Sequence, residues 1–337
     1  MSLRVAFWNT WLLAPRLWPG GPRIPFGDKL SLAPDVDRRA PLVGQALAGR
    51  FDVAALGECF EASERDAVAT GWPQAVVVDG PGRGRFKTTG SGLVTLVDEG
   101  RARIVSSARH AYRAGGDWRD SDTLATKGAL LVRVAVGEDR TLPAVDVPTV
   151  DIVSTHLIAG GDLFPVPGHD DQARHHRARM AQVDELVAFI GREHDPADVL
   201  LLVGDLNVPA HDPDPTLARP GDGYLDLAER LTSIGLRDVW ADHGIGPGPT
   251  CTFTDAADLP PDPAQPDQVV DLPDGGADPA PGERIDYLWL GVPDGVDVAV
   301  ERPRRWAFPG RPARGGPGGS LSDHLALSAA LRLTRPS

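Results

Sequence analysis

Apolar and β-branched residues gather in short runs along this chain, separated by stretches of helical spacing and by loops rich in Gly and Pro. Leu3–Trp8 is apolar at every position except Arg4. A strand with one wet face alternates, whereas a strand covered on both faces reads as a near-continuous apolar run. Val53–Leu56, Val150–Ser154 and Asp198–Val203 read as buried strands of that second kind. Ala75–Val78, Gly92–Val97, Ala102–Ser106, Ala129–Val136, Arg284–Leu290 and Leu325–Leu333 are further predicted strands, bounded by turn residues. Helical spacing appears at Asp37–Ala48, with Leu42, Val43, Ala46 and Leu47 on one face, and at Arg174–Arg192, where Met180, Val183, Leu186, Val187 and Ile190 fall three and four apart. Leu225–Ile234 is a third predicted helix.

No repeat and no linker breaks this pattern, so residues 1–337 are expected to form a single α/β domain, large enough for an ample core. Residues 255–282 hold seven Asp and no Lys or Arg. Such a composition buries little, so a solvated, mobile loop is expected there. The Pro/Gly loop at 14–34, with Trp18 and Phe26, and the loops at 107–125 and 160–172 are expected to wall a cleft. Residues 310–319 form a Gly-rich loop. A net charge of −13 weighs against a nucleic-acid partner, because phosphate neutralisation needs clustered cations. Two cysteines, Cys59 and Cys251, make neither a disulfide framework nor a zinc site and are expected as reduced, partly buried thiols. No apolar run approaches the ~20 residues of a membrane span. Met1–Asn9 enters a strand at once and shows no signal-peptide pattern, so a cytoplasmic address is expected as the chain stands, or a secreted one if a leader was removed; a monomer is expected.

The candidate chemistry lies where predicted strands stop. Apolar runs end at or beside Asn9, Glu58, His156, Asp205 with Asn207, Asp286, and Asp323 with His324. An apolar run fixes the backbone, and the residue after it projects from a rigid element. Mg²⁺, for which Mn²⁺ can substitute, takes hard oxygen ligands, and Glu58, Asp205, Asn207, Asn9 and Asp323 supply that set. His324 and His156 are acid–base candidates near neutral pH. Asp286 is placed to fix the tautomer of His324. Taken singly, each site has a plainer explanation. Gly204-Asp205-Leu206-Asn207 reads equally well as an Asx turn, Asn9 as a turn residue and Glu58 as the partner of a buried cation. Asp286 within an apolar strand needs a partner on any reading, because a lone buried carboxylate costs several kcal/mol.

Six segments together resemble the endonuclease/exonuclease/phosphatase superfamily: Val5-Ala6-Phe7-Trp8-Asn9, Leu56-Gly57-Glu58, Ser154-Thr155-His156-Leu157, Val203-Gly204-Asp205-Leu206-Asn207, Arg284-Ile285-Asp286-Tyr287 and Leu321-Ser322-Asp323-His324. They follow family order from end to end of the chain. The resemblance implies a deoxyribonuclease-I-like, four-layer α/β/β/α sandwich of two mixed sheets flanked by helices. It implies Glu58 as the main Mg²⁺ ligand, helped by Asn9 and Asp323, and His324 as general base paired to Asp286. Asp205 and Asn207 would then position water and phosphate, and His156 would contact the phosphate or assist the leaving group.

Within the superfamily the chain is most similar to neutral sphingomyelinases, through Phe60 two places after Glu58, Thr126-Lys127-Gly128 before a strand, and Arg179 with Gln182 on the long helix. The expectation is a Mg²⁺-dependent phosphodiesterase acting on a lipid head group, with Lys127 on the substrate phosphate. A nuclease or an inositol-phosphate-type phosphomonoesterase is the alternative. Arg302, Arg304 and Arg305 lead into Trp306 and Phe308, followed by Arg311 and Arg314. This stretch suits an interfacial loop, although the plainer expectation is that its aromatics pin a solvated loop to the core. His175 and His176 are expected to be solvated.

Overall fold

The computed structural model describes residues 1–14, 21, 33, 35–116, 120–137, 148–160, 171–213, 219–251, 261–262, 265–269, 282–308, 310 and 320–334. The strands are β1 (Ser2–Asn9), β2 (Val53–Gly57), β3 (Ala75–Asp79), β4 (Val94–Asp98), β5 (Ala102–Ala111), β6 (Gly128–Val136), β7 (Thr149–His156), β8 (Val199–Asp205), β9 (Arg237–Asp238), β10 (Pro261–Asp262), β11 (Gln265–Val269), β12 (Asp286–Gly291), β13 (Asp297–Val300), β14 (Arg304–Trp306) and β15 (Ala326–Thr334). The helices are α1 (Val36–Leu47), α2 (Ala62–Gly71), α3 (Asp171–Glu193), α4 (Asp222–Thr232) and α5 (Val239–His243).

Among the described residues two mixed sheets form. One runs β10-β11-β14-β15-β1-β2-β4-β3, with β13 also on β15; the other runs β5-β6-β7-β8-β12-β9. Their inner faces meet in one core. Leu3, Val5 and Phe7 of β1 lie there against Val199, Leu201 and Val203 of β8 and Leu288 and Leu290 of β12. The alternate residues face outward. Ala6 and Trp8 pack with Val36, Ala40, Val43 and Leu47 of α1, while Leu200 and Leu202 pack with Val183, Leu186 and Ile190 of α3. Period-two alternation therefore serves two apolar layers at once, which is why these strands read as unbroken apolar runs. The architecture is the expected α/β/β/α sandwich.

The predicted strands and the three predicted helices all form, with shifted ends. β5 extends to Ala111, and Ser121–Leu124 is a 3₁₀ turn, so 107–125 is only partly the expected loop. Pairing with β6 as far as Ala111↔Gly128 carries that strand on. The acidic segment is likewise not all loop. Pro261–Asp262 pairs with β11, and Gln268 pairs with Trp306 of β14, because backbone groups hydrogen-bond along an open edge whatever their side chains. The rest of 252–281, most of the 14–34 loop including Trp18 and Phe26, and residues 161–170 and 311–319 lie outside the described residues. Among the described residues no helix is long and apolar enough to cross a membrane.

Strand direction determines where side chains gather. β1 is parallel to β2 and antiparallel to β15, so the ends of β1 and β2 and the start of β15 share an edge. β7 is parallel to β8, and β12 is antiparallel to β8 with Asp286 opposite Asp205. β6 enters opposite His156 at Gly128, directly after Lys127.

Candidate active site

All nine predicted site residues stand at this common edge. Asn9, Glu58, Asp323 and His324 come from the first sheet, and Lys127, His156, Asp205, Asn207 and Asp286 from the second. Asn9 is the tie between sheets: its Nδ2 donates to Glu58 Oε1 at 3.1 Å and to Asp205 Oδ2 at 2.9 Å. Its Oδ1 accepts from Trp11 N at 3.1 Å, so the amide turns its donor rather than its carbonyl toward the carboxylates.

Glu58 has φ 59° and Asn207 has φ 50°. Both are in the left-handed region, which a non-glycine residue occupies at a cost, and such residues gather at functional sites. At Glu58 this turn leaves the strand just as the side chain enters the cleft. At Asn207 the Asx turn is present, with Asn207 N donating to Asp205 Oδ1 at 3.0 Å, while Asn207 Nδ2 holds Leu157 O at 3.2 Å. The turn and the site are one feature.

His324 Nδ1 pairs with Asp286 Oδ2 at 2.8 Å, and Asp286 is fully buried. Burial alone suppresses an imidazolium, but the Asp286 carboxylate outweighs it and holds the His324 pKa well above its ordinary value. His156 is the opposite case. Burial, reinforced by Lys127 and His324, pushes it well below the ordinary value, so it is neutral. Lys127 Nζ donates to His156 Nε2 at 3.4 Å, and that nitrogen lies 3.7 Å from Asp205 Oδ2 and 3.9 Å from Glu58 Oε1.

The carboxylates crowd one another. Burial and the charge of Asp323 raise the pKa of Glu58, and burial together with Asp286 raises that of Asp205 to about 7. Buried Asp286 Oδ1 and His156 Nδ1 have no hydrogen-bond partner among the described residues. Clustered acidic oxygens that resist ionisation, beside an unsatisfied carboxylate oxygen, fit a divalent cation. Ligand atoms of Asp205, Asp286 and His324 also fall within 4.8 Å of one another. That group differs from the expected ligand set of Glu58, Asn9 and Asp323, and the Nδ1–Oδ2 bond of His324 and Asp286 lies within it.

The sequence reading missed the supports of this edge. Buried Arg39 on α1 donates to Thr10 O at 2.8 Å and to Leu321 O at 2.6 Å, joining the segment after Asn9 to the one before Asp323. Burial lowers its pKa to about 10 against the pull of Asp323 and Glu58. Ser322 Oγ donates to Asn9 O at 2.7 Å, and Thr250 Oγ1 accepts from Asp286 N at 3.1 Å. No local pattern marks Arg39 or Thr250, whose partners lie far away in sequence. Arg179 and Gln182, singled out as a motif, hold the segment after His156: Arg179 Nη1 donates to Ala159 O at 3.0 Å, and Gln182 Oε1 accepts from Ile158 N at 2.9 Å.

The expectation of a solvated His175 is overturned. His175 is buried, not solvated, with Nε2 3.0 Å from Asp120 Oδ1, and Arg174 donates to the second Asp120 oxygen at 2.7 Å. His176 pairs with Asp226 at 2.8 Å. In the 302–308 stretch the plainer expectation holds, with the aromatics pinning the segment to the core. Phe308 packs 5.0 Å from Trp8, Trp306 lies 5.4 Å from Phe51, and Arg305 is fully buried and donates to Pro249 O. Both cysteines are free thiols, Cys59 buried and Cys251 partly so beside His324.

No protein-family model and no curated protein matches the sequence, but solved structures match it over nearly its whole length. A Staphylococcus aureus beta toxin mutant with bound magnesium ions aligns with TM-score 0.61 at 16% identity, covering 98% of this chain and 99% of the other. Sphingomyelinase C from Streptomyces griseocarneus aligns with TM-score 0.57 at 20% identity, over 98% and 99%. TDP2 from D. rerio, in complex with a single-strand DNA product, aligns with TM-score 0.55 at 12% identity, also over 98% and 99%. Proteins described as endonuclease/exonuclease/phosphatase family members, from two Bacteroides species, match in the same way, so this chain has the endonuclease/exonuclease/phosphatase fold.

Proposed function

We propose that this protein is a metal-dependent phosphoesterase that hydrolyses a phosphodiester, and that its substrate is a lipid head group. One observation carries the reading. Glu58 and Asp205, both with raised pKa values and Glu58 within the field of Asp323, face a buried His324–Asp286 pair. Glu58 and Asp323 would hold Mg²⁺, with Asn9 orienting Glu58. A divalent cation held there would supply Lewis-acid stabilisation of phosphoryl oxygens and a positive charge opposing protonation of His324. His324, fixed by Asp286 through Nδ1, takes a proton from the attacking water at Nε2. Asp205 and Asn207 orient that water and the phosphate. Lys127 and neutral His156 face the phosphoryl oxygens and stabilise charge on the leaving side.

The lipid reading is supported by the Thr126-Lys127-Gly128 and Arg179/Gln182 resemblance and by the likeness to a sphingomyelinase C over the whole chain. The nuclease reading is supported by the likeness to a DNA-bound structure and opposed by the charge of −13. The test is hydrolysis of sphingomyelin vesicles beside single- and double-stranded DNA, with EDTA and His324→Ala controls. Lipid cleavage lost in both controls is expected. DNA cleavage alone moves the substrate to nucleic acid. Absence of any EDTA-sensitive, His324-dependent turnover of phosphoesters defeats the reading.

A further inference from the structure

Between β3 and β4 the chain forms a loop, Pro81-Gly82-Arg83-Gly84-Arg85-Phe86-Lys87, on the active-site side of the first sheet. Phe86 is 86% exposed, the most exposed large apolar side chain among the described residues. The Arg85 guanidinium lies over its ring, 5.3 Å from the centroid. The loop is tied down. Gly84 N donates to Thr126 Oγ1 at 2.9 Å, Lys87 Nζ to Thr123 O at 2.8 Å, and Thr88 N and Oγ1 to Leu124 O at 2.7 and 2.8 Å.

Those bonds hold a second exposed apolar residue, Leu124 at 49%, beside the loop and three positions before Lys127. The loop also walls a cleft of about 570 Å³ whose far side includes Phe60, two residues past Glu58. Arg83 and Arg85 have no acidic partner among the described residues, in a chain of net charge −13.

We propose that this loop, together with Leu124, is an interfacial anchor that seats the active-site edge on an anionic lipid surface. An aromatic ring and an aliphatic side chain side by side enter the head-group boundary, while the neighbouring Arg83 and Arg85 side chains remain at the level of the lipid phosphates. Each surface cation adds attraction to anionic lipid. Stacking of nucleic-acid bases would use Phe86 but has no use for Leu124, which offers no ring face. The anchor rests on the lipid reading of the site, and binding is measured separately from turnover so that each is tested alone.

The experiment is co-flotation of the full chain, in Mg²⁺ buffer, with phosphatidylcholine vesicles containing or lacking phosphatidylserine. The variants are Phe86→Ala, the double variant Arg83→Gln/Arg85→Gln, and Val292→Ala as an exposed apolar control elsewhere. Binding should require phosphatidylserine and weaken with salt. It should fall on the order of tenfold in Phe86→Ala and on the order of 30-fold in the double variant, with Val292→Ala unchanged. Circular dichroism confirms that each variant is folded. Wild-type protein that does not float, or variants that float as wild type does, would overturn the proposal. So would variants that keep vesicle binding but lose single-stranded DNA binding, which would reassign the loop to nucleic acid.

Discussion

Strand β7 carries a buried polar group near each end, and the two ends are handled in opposite ways. Near its start, Asp151 is fully buried and fully satisfied. Arg133 Nε and Nη2 donate to its two oxygens at 2.7 and 2.8 Å, and His194 Nδ1 pairs with it at 2.9 Å. Burial opposes its ionisation, yet these partners outweigh it and hold the carboxyl below the usual range. At the other end, His156 meets Glu58 and Asp205, whose pKa values rise because burial and neighbouring carboxylates outweigh the pull of His324 and, at Glu58, of Lys127. Buried carboxylates alone therefore do not mark a site. The mark is a set of carboxylates whose burial and mutual repulsion exceed what the nearby cations offset, whereas at the paired end Arg133 and His194 outweigh burial.

The largest test of this contrast is Glu58→Gln. Turnover should fall on the order of 10³-fold or more if it removes the principal metal ligand, while the metal-free protein keeps or gains thermal stability because a crowded charge is lost. The rise in melting temperature on adding Mg²⁺ should disappear in the same variant. Retained turnover, or an undiminished Mg²⁺ shift, breaks the assignment. Asp151→Ala should do the reverse. It leaves Arg133 and His194 facing an empty position and should cost about 2 kcal/mol in urea unfolding, less than a fully buried pair because Arg133 is partly exposed. Turnover by the folded fraction should stay at the wild-type level. A loss of activity without a loss of stability would end the contrast.

The smallest expected effect is in pH. Asp205 has a folded-state value of about 7, above its unfolded value, so the stability linked to it is present at low pH and lost as pH rises through neutrality. Asp151 is depressed, so its contribution is present above the unfolded carboxylate value and lost as pH falls through the folded one. In EDTA the melting temperature should therefore decline from about pH 5 to about pH 8, and saturating Mg²⁺ should flatten that decline. An equal slope with and without Mg²⁺ would separate the metal from these carboxylates.

Much of this was legible locally. A run such as Leu3–Trp8 must be covered on both faces, and β1 carries Val5 and Phe7 to one core and Ala6 and Trp8 to the other. Asn9, His156 and Asp205 stand at strand ends because the apolar runs stop there. The helix α2 was not legible: its apolar face is short and its start is fixed by the reciprocal Glu61–Glu64 capping box. β13 and β14 were missed because they are short and owe their form to pairing with β15.

What the sequence determined by itself was periodicity, the points where strands stop, and the hard-oxygen and imidazole chemistry placed at those points. These depend on neighbours along the chain, and residue types express them directly. The tertiary structure alone decided which of those ends meet. Asn9 reaches Asp205 across 196 positions, and Arg39 reaches Leu321 across 282. It also decided which of two similar loops is buried: Arg305, Trp306 and Phe308 turn inward onto Pro249, Phe51 and Trp8, while Arg85 and Phe86 face solvent. Composition cannot separate these cases, because burial, desolvation and the pKa shifts that follow from them are set by what the opposing elements bring to the same place.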